Sequence, residues 1–237
     1  MIRHGPAPRG RSAPLNASAA IQADRKAVWI AVLTAVVPTL TVNVCYVISS
    51  TQGLVPACIP YFEGCTSISS AGRYGVSYYL FKVGMVGAAV LLVLFWRQMS
   101  GHIRAATGRG APVAAACGMG GAAFLVLYTA FLGSEGDFYF LMRRFGTLLY
   151  FGLTMVAQLM ALRRLETFAP LWLTRTMKWI LFSMLFFGFF SIPVMNYMDD
   201  KDTFQDIIEW DFSLLMQTYF LFTAIWLARL RKNRLTN

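Results

Sequence analysis

The chain has 237 residues, 57% of them hydrophobic and 14% charged, with a net charge of +10. That is too apolar for an ordinary soluble domain, and the length suits one helical bundle with no room for a second sizeable domain. The basic residues lie in short clusters beside apolar stretches, not along an aromatic-and-basic groove, so nucleic acid is not the expected partner.

Residues 1–27, rich in Arg, Pro, Ala and Ser, read as a disordered basic cytoplasmic tail. They are too long and irregular for a signal-peptide n-region, and no small-residue cleavage site closely follows the first apolar stretch. A membrane span needs about 20 mostly apolar residues to cross roughly 30 Å of hydrocarbon. Six segments meet that requirement: about 28–50, 76–96, 112–133, 145–162, 177–198 and 210–228. The runs are continuous and lack the period-two alternation of a barrel, so helices are the way to satisfy the backbone. The expected fold is all-α: a polytopic bundle of six transmembrane helices over 28–228, with a basic cytoplasmic tail at 229–237.

The charges alternate with the spans. Sixteen of the 21 Lys/Arg fall in the tail (Arg3, Arg9, Arg11, Arg25, Lys26), the second and fourth loops (Arg97, Arg104, Arg109, Arg163, Arg164, Arg175, Lys178) and the C-terminus (Arg229, Arg231, Lys232, Arg234). Nine of the 11 Asp/Glu fall in the other three loops or at their span ends. Short cationic loops stay cytoplasmic during insertion, which predicts both termini on the cytoplasmic side. The membrane is the plasma membrane in a prokaryote, otherwise an endomembrane or the plasma membrane.

Span one carries Pro38 with Thr39, Thr41 and Asn43 nearby, and span five carries Pro193 with Asn196; both prolines are expected to kink their helices. The following loop holds Cys58 and Cys65. A disulfide between them is chemically feasible, and two reduced loop thiols are the alternative. Val55-Pro56-Ala57-Cys58 faintly resembles a lipoprotein processing site, but the apolar run ends well before it and Pro56 fits poorly. Cys45 and Cys117 fall inside spans as small hydrophobes. Gly84, Gly87 and Ala88 in span two, with Gly118, Gly120 and Gly121 in span three, predict close helix approach. Lys82 sits six residues into span two, about 9 Å below its start, placed either to snorkel or to pair with an acid at the mouth of span six.

The residue inventory removes familiar chemistries. His4 and His102 both belong to the cytoplasmic side, so neither a zinc site of clustered histidines nor a Ser-His-Asp triad can form outside. No HExxH, GxSxG or phosphate-cradling glycine loop is present, and no metal or cofactor is expected. The acidic run from Asp199 to Asp206 lacks EF-hand spacing and reads as a solvated loop.

What remains is a cluster of ionisable groups at the non-cytoplasmic helix ends: Glu63, Arg73, Glu135, Asp137, Arg143, Arg144, then the acids from Asp199 to Asp211. Glu209-Trp210-Asp211 is the sharpest local signal. Carboxylates flanking an interfacial Trp at a span's start mark either a solvated helix N-terminus or a polar site shared with Arg73, Lys82 or Arg144.

Three features resemble the six-span Frag/DRAM/Sfk superfamily, which includes damage-regulated autophagy modulators and membrane proteins of GPI-anchor remodelling. They are the six spans with cytoplasmic termini, an Ile-Ser element before span two (Ser67-Ile68-Ser69-Ser70-Ala71-Gly72-Arg73), and Glu209-Trp210 opening the last span. The chain has Ser67 where the family often has proline, and no histidine in the last span. The resemblance implies a role in lipid or lipid-anchor remodelling, lipid organisation or regulation of membrane partners. It implies a site of Ser69, Gly72, Arg73, Glu209 and Trp210 facing the non-cytoplasmic leaflet, to which the charge pattern adds Lys82, Arg144 and Asp211.

The leading expectation is a protein without classical catalytic machinery that binds, organises or helps remodel lipid, with membrane lipids and a membrane protein as partners. In it, Arg73 or Lys82 engages a lipid phosphate while Glu209 holds the cation in place. The alternatives are a lipid-remodelling enzyme with Glu209 or Asp211 as general base, and a small-solute transporter, against which the absence of an internal repeat counts.

Overall fold

The computed structural model describes residues 25–197 and 200–235, with the backbone alone for 192–197 and 234–235. Most of the tail, the side chains of Pro193 and Asn196, and Asp199 therefore lie outside the described residues. Among the described residues eight helices follow in order: α1 (Arg25–Thr51), α2 (Pro60–Glu63), α3 (Ile68–Ala71), α4 (Gly75–Thr107), α5 (Pro112–Phe131), α6 (Asp137–Leu165), α7 (Leu171–Tyr197) and α8 (Lys201–Leu235). Among the described residues there is no strand.

Six of these, all but α2 and α3, are long and apolar enough to cross a membrane. The chain is a multi-pass membrane protein of the expected all-α class. Several helices outrun their apolar cores: α4 continues eleven residues past 96, and α8 begins nine residues before 210. A helix need not stop where hydrophobicity does, since its backbone hydrogen bonds are equally satisfied in the headgroup layer and in water. For that reason the stretch expected as an acidic loop is the first turns of α8, with Asp202 and Asp206 on a helix and Asp200 just before it.

The small residues set the packing. A Cβ on Gly84 would overlap the Thr41 side chain, and one on Gly118 would overlap the Trp96 indole, so α4 meets both α1 and α5 at close range. Gly121 faces Thr154 Oγ1 on α6, whereas Gly87 faces open space. Pro38 lies inside α1, which continues on both sides of it, and Thr34, Thr39 and Thr41 each donate to the carbonyl four residues before. α5 and α6 form a tight hairpin on α4, α1 packs against both α4 and α8, and α7 packs on α8. α6 and α8 are joined by side chains: Gln158 Nε2 donates to the Met216 carbonyl and the Tyr219 hydroxyl to the Gln158 carbonyl, both buried.

Candidate functional site

The loop between α1 and α4 is folded rather than loose. Pro60 opens α2, and Gly64, at φ 58°, ends it. The Gly64 turn presses on the α8 backbone at Thr203, where no side chain would fit. Ser67 caps α3, its hydroxyl accepting from the Ser70 N–H at 3.0 Å and meeting the Ser69 hydroxyl. Cys58 and Cys65 form a disulfide across Cα atoms 6.4 Å apart. The Tyr46 hydroxyl, on α1, accepts from the Cys58 N–H and donates to the Cys58 carbonyl. Ser49 donates to the Ala71 carbonyl at 2.7 Å, tying the end of α3 to α1.

Trp210 locks this loop onto α8. It is 1% exposed, its Nε1 donates to the Thr66 carbonyl at 2.8 Å, and the rings of Tyr46 and Tyr61 meet it edge-on. An interfacial tryptophan would keep its N–H in the headgroups; here the folded loop supplies the partner instead. Asp211, one residue on, turns toward Tyr61. The Tyr61 phenol is raised above its ordinary pKa by burial and further by Asp211, with an opposing hydrogen bond from Asn43.

Glu209 turns the other way, inward. Its carboxylate faces the Ile68 backbone N–H and borders an internal cavity of about 30 Å³. Pro38, Val42, Phe81, Met85 and Leu125 form the apolar wall. The polar lining comes from Tyr128 on α5, Thr147 and Tyr150 on α6, and Ser213 and Gln217 on α8. Gln217 Nε2 donates to the Tyr150 hydroxyl at 3.4 Å, which leaves Gln217 Oε1 buried with no donor. The Tyr128 hydroxyl is also buried without a partner. Glu209, Arg73 and Arg143 all lie close enough to that hydroxyl to act on it electrostatically. The rim, Thr147 and Phe151 on α6 with Glu209 and Ser213 on α8, is only half-buried. The cavity is therefore not sealed at that rim.

The expected site residues divide accordingly. Gly72 is buried against the Phe81 ring, which no Cβ would clear, and it delivers Arg73 to the top of α4. Arg73 Nε is buried without a partner, and among the described residues no carboxylate comes within ion-pair distance of Arg73 or Lys82. The expected pairing of Glu209 with either cation is thus not formed. The Lys82 ammonium instead donates to the Tyr78 hydroxyl and the Ala130 carbonyl and lies 4.2 Å from the Tyr78 ring centroid. Its charge is absorbed by a turn of its own helix and the end of α5. Arg144 is exposed on α6, while its neighbour Arg143 turns inward to the carbonyls of Phe131 and Ser134. Adjacent helical positions point about 100° apart, so only one of the pair faces the bundle.

The cavity residues beyond Glu209 were not singled out from sequence. Ser213 and Gln217 follow Glu209 at intervals of four, one polar face in an apolar span, and that periodicity was legible. Tyr128 carried no such signal, because aromatic residues near span ends are ordinary. Among the described residues no group of His, Cys, Asp or Glu could hold a metal ion. Known protein families, characterised proteins and solved structures give no match to this chain.

Proposed function

We propose that this multi-pass membrane protein binds and organises phospholipid at the non-cytoplasmic leaflet, with both termini cytoplasmic. The observation that carries the reading is the cavity bordered by Glu209 and the unpaired Tyr128 hydroxyl, on which Arg73 and Arg143 also act electrostatically. A partly unsatisfied guanidinium at headgroup depth suits a lipid phosphate. The half-buried rim of Thr147, Phe151, Glu209 and Ser213 suits lateral access from the bilayer. Support for the orientation comes from the sixteen cationic residues on one set of loops and tails. Membership of the Frag/DRAM/Sfk superfamily is proposed on the Ser67–Arg73 and Glu209-Trp210 elements and agrees with a lipid role.

The test is the lipid content of the purified protein. Arg73→Glu and Glu209→Gln are each expected to lose several-fold of the co-purifying phospholipid at unchanged monodispersity. Equal lipid content in both variants and the parent protein overturns the proposal. A second reading has one specific support: a carboxylate beside a water-sized cavity is placed to act as general base in lipid remodelling. Conversion of added phospholipid, abolished by Glu209→Gln, would establish it.

A further inference from the structure

The cavity holds buried polar atoms without partners beside a carboxylate. Among the described residues Glu209 has no cation within ion-pair distance, and Gln217 Oε1 and the Tyr128 hydroxyl are unpaired in side chains 4% and 6% exposed. Orphaned buried polar atoms mark an absent partner, and an uncompensated carboxylate at a cavity edge favours a cation. A volume of about 30 Å³ accommodates a group of roughly two water molecules.

Resting on the phospholipid reading, we propose that this cavity is the subsite for a primary ammonium, so that the preferred lipid headgroup is phosphoethanolamine. A primary ammonium carries three donors, which it offers here to Glu209 and to the Tyr128 hydroxyl on which Glu209 already acts electrostatically; Gln217, two turns below Glu209 and about 12 Å along α8, lines the floor of the cavity. A choline group carries three extra methyls and no N–H, so it neither fits the volume nor satisfies the acceptors. A serine headgroup has the ammonium but brings a second carboxylate toward Glu209. The phosphate, two carbons from the nitrogen, then falls to Arg73.

The test is native mass spectrometry of the delipidated full chain with phospholipids of identical acyl chains bearing ethanolamine, choline or no headgroup amine, alongside soluble phosphoethanolamine. At least tenfold preference for the ethanolamine lipid is expected, falling to parity with choline in Glu209→Gln and in Tyr128→Phe, which removes only a hydroxyl and spares the fold. Equal binding of all three lipids, with loss in Arg73→Glu, overturns the ammonium subsite and leaves the phospholipid reading standing. Binding of none of the lipids overturns both. Soluble phosphoethanolamine competing as well as the lipid keeps the ammonium chemistry and overturns its lipid source.

Discussion

Trp210 and Glu209 are neighbours with opposite duties. Trp210 uses its ring and its N–H to hold the first loop, and Glu209 faces the interior with no cation within ion-pair distance among the described residues. Trp210→Phe keeps an aromatic ring for the edge-on contacts with Tyr46 and Tyr61 but strands the Thr66 carbonyl. It is expected to cost about 1–2 kcal/mol, read as a lower thermal midpoint in detergent with faster hydrogen exchange across 60–72. Gly118→Ala must displace the Trp96 indole and is expected to cost about 1–3 kcal/mol. Gly87→Ala, with open space around it, is the control and should be neutral or slightly stabilising.

Among the elements, the folded first loop most repays attention. Its two short helices cannot persist alone, since a single turn lies far below the length at which isolated helices form. They are held by the Cys58–Cys65 disulfide, the Tyr46 hydroxyl and the Trp210 anchor. Replacing both cysteines by serine is expected to cost about 2 kcal/mol, confined to the loop and visible as protease cleavage between 53 and 66. Asp200, before α8, has its pKa lowered by hydrogen bonds from the Thr203 hydroxyl and N–H. A depressed carboxylate stabilises the helix start above its unfolded pKa, and that contribution is lost as pH falls through the lower folded value. Exchange of the first-turn amides of α8 should therefore accelerate in that acid range, and Asp200→Ala should show the faster rate at neutral pH already.

At the scale of the molecule, six spans bring the ends of α1 and α8 to matching levels: the Tyr46 end of α1 meets the Trp210 end of α8. Opposite, Arg229 lies over Trp172 at the start of α7. The proposed orientation predicts that a cysteine at Gly53 reacts with an impermeant maleimide in intact cells, and one at Arg109 only after permeabilisation. The reverse pattern would invert the topology. The half-buried rim between α6 and α8 is where the proposed lipid would enter the cavity.

The six spans and their all-α class were legible because hydrocarbon admits few backbone solutions, so length and hydropathy alone select helices. Helix ends were read less well: α8 starts well before its apolar run because helicity persists in water. The region of the candidate site could be approached from the acids and the few cations opposite them. Its membership could not. Whether Arg143 or Arg144 turns inward depends on helix rotation set by the α5–α6 contact, and whether Lys82 meets Glu209 or Tyr78 depends on which neighbour lies across from it. Sequence determined that this chain crosses the membrane six times with its acids gathered at one end. Only the tertiary structure decided that Glu209 and Gln217 border a cavity with Tyr128, because that meeting joins two helices distant in sequence, α5 and α8, through close packing that no local pattern encodes.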